Sequence, residues 1–498
     1  MSLPGFDMGD TVPSLGVIAG VGVGAASDAG DASAVGFLVT SGGSLPDGID
    51  LDWEHLETEG FEAKNGQAYS CPRSGRPTLV LVGLAGDQSV DTLRDGAAAF
   101  ARAAAKHSNL AFDLSTADEV SGAAQAVVEG ILLARYRYDA LKAKPSVTPV
   151  ETITLITDDP SAAAEGARVG KVMSEATSIA RDLANDPPAI LTATRMAEIA
   201  ANLGAERGLE VEVFDKAALE ELGCGGLLGV NAGSSEAPRM IKLVYRPADP
   251  NGARLTLVGK GIMYDAGGIA LKPADEVHAT MKNDMSGAGA ILASMLALGE
   301  LGCRTEVTGY LMCTDNRPSG TALAMGDVIK IRGGMSVEVS NTDAEGRLVM
   351  ADALVLATEE ETDAIVDIAT LTGAAMRALG TRIAGLIGND KDLLGQVESA
   401  AERTDEPVWQ LPLERSYRKQ LNSPVADIKN LGGANAGAIT AALFLEEFVA
   451  GNPWAHIDIA GTAQNDEDTS WRPPGCTGFG ARLLAELALD FTPVGGER

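Results

Sequence analysis

Asn341-Thr342-Asp343-Ala344-Glu345-Gly346-Arg347-Leu348 lies two thirds of the way along the chain. Two carboxylates two residues apart cannot share a helix face, but in an extended segment they point the same way. Met335 to Val339 reads as the strand that delivers them, and Gly346 permits a sharp exit. Leu348 to Ala357 is apolar enough for a buried helix. Asp343 and Glu345 are thus expected where a strand gives way to a helix, the edge at which open α/β sheets collect their active sites. Paired carboxylates there need a counter-charge. Arg347 offers one positive unit, and a metal ion offers more. Taken alone, the stretch fits a tight turn with a surface ion pair just as well.

A second stretch, from Val258 to Ala290, tilts the balance. Leu255-Thr256-Leu257-Val258 reads as a strand, followed by Gly259-Lys260-Gly261, Tyr264-Asp265-Ala266-Gly267-Gly268, Lys272-Pro273 and Met281-Lys282-Asn283-Asp284-Met285. A helix is expected from about Ser286, with Ile291, Met295 and Leu298 on one stripe. Lys260, Asp265, Lys272 and Asp284 are expected in irregular segments, where glycines let backbone approach a site closely. Each could be a solvated loop charge, but four such charges among these glycines suggest a site.

Val258-Gly259-Lys260-Gly261, Asp265-Ala266-Gly267-Gly268-Ile269-Ala270-Leu271-Lys272-Pro273, Met281-Lys282-Asn283-Asp284-Met285 and the Asn341 to Leu348 stretch, in this order, resemble the leucyl aminopeptidase family of dinuclear-metal aminopeptidases. The likeness covers roughly Ala180 to Leu487 and continues through Thr370-Leu371-Thr372-Gly373, Trp409-Gln410-Leu411-Pro412-Leu413 and Trp454-Ala455-His456-Ile457-Asp458-Ile459-Ala460-Gly461-Thr462. The resemblance implies that Lys260, Asp265, Asp284 and Glu345 hold a tighter divalent ion, and Asp265, Asp343 and Glu345 an exchangeable one. It implies a two-metal-activated water as nucleophile. Lys272 would polarise the scissile carbonyl, and Arg347 would hold a bicarbonate beside the water. Met281, Thr370 and Gly373 would line an apolar pocket for a first residue such as Leu or Met, although a methionine also commonly just fills core. Oxygen-rich ligation suits Mn²⁺ or Mg²⁺ and Zn²⁺ also accepts carboxylates, so the expected pair is Mn²⁺ or Zn²⁺, with Mg²⁺ possible. Lys260 would have to bind as a neutral amine. The resemblance further implies peptide substrates and a homohexamer. The resemblance leaves one alternative, an oligomeric non-catalytic or DNA-binding regulator, a role some members also play. Two departures stand out: Ala266 replaces the usual small hydroxyl residue, and the loop from Lys272 to Asp284 is one residue longer than expected.

The chain has 498 residues, 45% hydrophobic and 22% charged, enough for two or more domains. A net charge of −30 repels phosphate backbones and argues against nucleic acid, and it suits solubility in concentrated salt. The five cysteines show no Cys-x-x-Cys spacing and fit a reducing cytoplasm. No segment is long enough to span a membrane. Gly16 to Ala26 is apolar, but its upstream flank carries Asp7 and Asp10 rather than a basic residue, so it reads as strand and loop.

The expected fold class is α/β: a smaller N-terminal α/β domain, and a larger catalytic domain with a mainly parallel central sheet covered by helices. Residues 1–12 read as a disordered tail and 13–158 as the N-terminal domain, with a helix from Ala123 to Lys142. Residues 159–186 read as a connecting helix, and 187–498 as the metallopeptidase domain. His55, His107 and His278 carry no ligand signature.

Overall fold

A computed structural model describes residues 20–494, apart from Asp87 and Pro145; the expected tail at 1–12 lies outside them. The described residues form two units, 20–178 with 465–475, and 179–464 with 476–494. The division falls inside one long helix, Pro160–Asn185, rather than at either end of it. Asp159 caps that helix by accepting from the Ala162 amide, and the Asp186-Pro187-Pro188 run ends it, because neither proline can extend the hydrogen-bond ladder.

The first unit is built on a six-stranded sheet in the order Gly22–Ala26, Thr152–Ile156, Asn109–Asp113, Ala34–Val39, Thr78–Gly83, Ala68–Cys71. Every neighbouring pair is parallel except the last. Helices Val90–Ala103 and Val120–Arg135 contribute Phe100, Val127, Val128 and Ile131 to a core shared with Val80, Val82, Leu110 and Phe112. The second of these helices stops at Arg135, short of the expected Lys142.

The second unit carries an eight-stranded sheet. Its order is Val408–Gln410, Ala384–Gly388, Trp454–Asp458, Ala364–Ala369, Arg254–Asp265, Glu306–Asn316, Arg239–Tyr245, Glu210–Phe214. The four middle strands are mutually parallel, and antiparallel pairs lie to either side. Those middle strands are buried almost throughout, as expected for strands covered on both faces. Helix Ser286–Leu301 is buried without a break through Leu298, and each fully buried Leu or Ile is worth about 1.5–3 kcal/mol.

Two local expectations fail. The strand expected to end near Val258 runs on to Asp265, so Lys260 and Asp265 sit on the central strand itself and not in irregular segments. Gly259, just past the expected strand end, serves close packing inside the strand. A Cβ there would lie 2.8 Å from Ala288 Cα and 2.9 Å from its nitrogen, so only glycine lets helix and strand meet. The second failure concerns the strand before Asn341. Ser336–Glu338 belongs to a separate three-stranded sheet with Val328–Lys330 and Ile428–Lys429. Asn341 to Ala344 is a turn, so strand alternation is not what brings Asp343 and Glu345 to one place.

Helix Gly346–Thr358 follows that turn and is anchored at its middle. Asp352 accepts from the amides of Leu227 (2.8 Å) and Arg332 (2.9 Å). Burial pushes its carboxyl up to about 7 even so, since amide donors offset only part of the desolvation.

Candidate metal centre

Three neighbouring elements deliver the charged side chains. The central strand carries Lys260 and Asp265. The turn Met281–Asn283 and the residue after it supply Asp284, immediately before helix Ser286–Leu301. The Asn341 turn supplies Asp343 and Glu345 at the start of helix Gly346–Thr358. Glycine at 346 leaves room for Lys260 as it stands, with Cε only 2.6 Å from where a Cβ would be, so any larger residue would displace the lysine.

Oxygens of Asp265, Asp284 and Glu345 lie within 4.8 Å of one another, and all three residues are buried. Lys260 Nζ lies 2.8 Å from Asp284 Oδ1, 2.9 Å from Glu345 Oε1 and 2.9 Å from the Thr370 carbonyl oxygen. Lys272, from the loop after the strand, lies 2.8 Å from Asp265 Oδ2 and 2.7 Å from Asp343 Oδ1. All six expected groups therefore converge. Asp343 is the most open of the acids, with its side chain 34% exposed.

The electrostatics follow from the count. Four carboxylates face two ammonium groups, and −4 + 2 leaves −2 in a largely buried space. Burial together with the Glu345 charge pushes Asp265 up to about 6. Burial drives Asp284 well above the usual carboxylate range despite Lys260. For Lys260, burial opposes the charge, but Asp284, Glu345 and Asp265 outweigh it and hold the ammonium above its ordinary value. Burial likewise opposes the charge on Lys272, and Asp265 and Asp343 override it. Arg347 is pulled down to about 10 by burial, with Glu345 and Asp458 acting in the other direction.

The donor set fits a hard divalent cation. Asp284 Oδ2 is buried and has no hydrogen-bond partner, although Oδ1 has two, and a buried polar atom left unsatisfied is costly. Carboxylate oxygens at this spacing suit Mn²⁺, Mg²⁺ or Zn²⁺. His278 does not join them, since its Nε2 lies 3.0 Å from the Tyr264 hydroxyl.

Thr370 belongs to the cluster directly: its hydroxyl donates to Asp284 Oδ1 at 2.7 Å. Met281 and Gly373 are linked to it through backbone only, three residues before Asp284 and three after Thr370. Both are at least partly open. Arg347 donates from Nη1 to the Asn430 carbonyl, while its Nε is buried without a partner.

Sequence reasoning missed Asn316. Its side-chain amide donates to Asp265 Oδ1 at 2.8 Å and to the Thr342 carbonyl at 3.0 Å, and reaches Glu345 Oε2 at 3.5 Å. The parallel register sets Asn316 opposite Asp265, past an irregularity at Thr314 that turns the strand end. In the sequence the apolar pattern of that strand runs only from Glu306 to Cys313, so Asn316 falls outside it and the pairing is hidden.

Residues 178–485 match the catalytic domain of the cytosol aminopeptidase family, and residues 51–145 match its N-terminal domain. A probable cytosol aminopeptidase of Streptomyces avermitilis is 44% identical over 462 residues, covering 88% of this chain and 89% of its own. One from Aquifex aeolicus is 39% identical over 445 residues, covering 88% and 90%. Among solved structures, the bottromycin maturation enzyme BotP in complex with Mn shares the fold with a TM-score of 0.84 at 40% identity, covering 92% of this chain and 99% of BotP.

Proposed function

The chain belongs to the cytosol aminopeptidase family and is a hydrolase, and from that premise we propose that it removes a Leu- or Met-like first residue from peptides with two divalent cations. One observation carries the metal reading: Asp265, Asp284 and Glu345 converge in a buried space with Asp284 Oδ2 unpartnered. Lys260, Asp265, Asp284 and Glu345 would hold one ion, and Asp265, Asp343 and Glu345 the other. Bound there, two such ions would activate a water for attack on the peptide carbonyl. The BotP complex with Mn supports Mn²⁺ as the first ion to try, with Zn²⁺ and Mg²⁺ as alternatives.

The chain's own groups divide the remaining work. Lys260 must shed its proton to serve as a ligand, because an ammonium has no lone pair; neighbouring cations supply that shift. Lys272 keeps its proton, held by Asp265 and Asp343, and can donate to the developing oxyanion. The unpartnered Arg347 Nε offers a donor for a small anion such as bicarbonate. Asn316 and Thr370 fix the rotamers of Asp265 and Asp284.

Met281, Thr370 and Gly373 would form the pocket for the first side chain. Arg377 adds a feature. Its Nη1 lies 3.3 Å from where a Cβ would stand on Gly373, and its guanidinium has no ion-pair partner among the described residues. A cation there, even an exposed one, disfavours a basic first residue. A panel of aminoacyl amides is expected to give Leu and Met the highest kcat/KM and Lys the lowest, with Arg377→Leu narrowing the Leu/Lys ratio about tenfold. No cleavage of any amide, with turnover of a phosphoester instead, would remove the aminopeptidase reading.

The relatives' names and the five free cysteines support action in the cytoplasm. Among the described residues no helix is long and apolar enough to cross a membrane. Assembly as a homohexamer is part of the proposal and is tested by sedimentation. A DNA-binding regulatory role is the weaker reading, because the −30 charge opposes it. A gel shift at low salt would revive that role.

A further inference from the structure

Asn430 lies in no motif and carries no charge, yet every one of its polar atoms is committed to the segment bearing Asp343, Glu345 and Arg347. It is fully buried, directly after the two-residue strand Ile428–Lys429. Its amide nitrogen donates to the Glu338 carbonyl at 3.0 Å. Its Oδ1 accepts from the Ser340 amide at 2.9 Å, the Ser340 hydroxyl at 3.2 Å and the Asn341 amide at 3.3 Å. Its Nδ2 donates to the carbonyls of Asn341 at 2.7 Å and Ala344 at 3.1 Å. Its own carbonyl accepts from Arg347 Nη1 at 2.8 Å.

The bonds bracket the turn. Those to Ser340 and Asn341 hold the entry, and the one to Ala344 holds the exit one residue before Glu345. Asp343 between them is fixed from inside, its amide donating to Asn341 Oδ1 at 2.8 Å. A turn of this kind has no ladder of its own, so its conformation depends on the side chain that satisfies its amides and carbonyls. The same residue sets Arg347 through its main chain. The carboxamide thus holds the turn that bears the two carboxylates, while the main chain of the same residue holds the guanidinium.

We propose that Asn430 is a positioning residue for the metal centre: it holds the Ser340–Ala344 turn so that Asp343 and Glu345 present their carboxylates at the spacing a divalent ion needs. This rests on the metal reading given above. A carboxamide is suited to the task because it both donates and accepts, whereas a carboxylate could only accept and would add charge beside Glu345.

The test is Asn430→Ala, with Mn²⁺ affinity measured by equilibrium dialysis and steady-state kinetics run at saturating Mn²⁺. Loss of an outer-shell partner typically weakens metal binding or activity about 10- to 100-fold. The expected result is Mn²⁺ affinity down by that factor. At saturating metal, kcat should fall about tenfold or more while KM stays within about threefold, because substrate contacts are untouched. Val397→Ala, a cavity in helix Lys391–Thr404 away from the turn, is the comparison. It should lower the melting temperature while leaving Mn²⁺ affinity unchanged, which separates positioning from general weakening. A folded Asn430→Ala variant that binds Mn²⁺ and turns over like the parent overturns the proposal. Should Asn430→Ala not fold, Asn430→Ser is measured the same way. If neither folds, Asn430 is part of the framework and the proposal is overturned. A parent that takes up no Mn²⁺ is a different result, since it removes the metal reading itself.

Discussion

Glu345→Gln is expected to abolish peptide turnover while leaving the chain folded. The side chain is buried, and both of its oxygens face donors: Lys260 Nζ at 2.9 Å and the Asn316 amide at 3.5 Å. Glutamine has the same shape, but one oxygen becomes an amino group. Whichever way it turns, that group meets a donor, so one contact becomes a donor–donor clash. The change also removes one of the two carboxylates, with Asp265, assigned to both ions. The expected fall in kcat/KM is about a thousandfold or more, or ~4 kcal/mol of transition-state stabilisation. The effect on folding is smaller for two reasons. Glu345 stands at the N-terminus of helix Gly346–Thr358, where its charge is worth about 0.3–1 kcal/mol. Removing a buried charge from a cluster already short of cations offsets part of even that. The check is kcat/KM for leucyl amide beside a thermal melt of the same sample. Full activity in the variant would remove the mechanism; a collapsed melt would show that Glu345 is mainly structural.

Much of this was legible in the sequence because the informative segments are long and apolar. The helix expected from about Ser286 and the apolar helix over Leu348 to Ala357 stand where their patterns place them. Helix Pro160–Asn185 was legible from its cap and its terminal prolines. Lys260, Asp265, Lys272, Asp284, Asp343 and Glu345 were legible as a group because each sits in a distinctive string, and the structure brings them together. The route by which they meet was not. Gly259 looks like a breaker in one dimension, and only the approach of Ala288 explains why it interrupts nothing. Asp343 and Glu345 looked like alternate residues of a strand, whereas a turn delivers them. That turn is held by Asn430, from more than eighty residues away. A lone asparagine carries no periodicity and no charge, so neither pattern nor spacing could single it out. Asn316 was closer to reach, since extending its strand by three residues would have set it beside Asp265.

Stripping metal from the folded protein is expected to lower its melting temperature as well as stop catalysis. Four carboxylates share the site with two ammonium groups, and burial raises the pKa of Asp265, Asp284 and Asp343. Each of those shifts reports a charged form that is unfavourable where it sits. A divalent ion that binds the folded chain and not the unfolded one stabilises it by RT ln(1 + [L]/Kd), about 2.7 kcal/mol at a hundredfold excess over Kd and about 4.1 at a thousandfold. In a unit of this size each kcal/mol moves the melting temperature by about 2 °C, so a loss of ~5–8 °C is expected. The measurement is calorimetry on chelator-treated protein whose metal content has been counted per chain. Mn²⁺ or Zn²⁺ added back should restore both the melt and the activity. Mg²⁺ should restore less, because it gives up its hydration water reluctantly and demands near-octahedral geometry. The two readouts separate two failures. If the chain is stripped and the melt stays put while activity is lost, the ions bind too weakly to shape the fold and act only in catalysis. If neither changes on verified removal, the carboxylates are balanced by Lys260, Lys272 and bound protons, and the hydrolase does its chemistry without the ions.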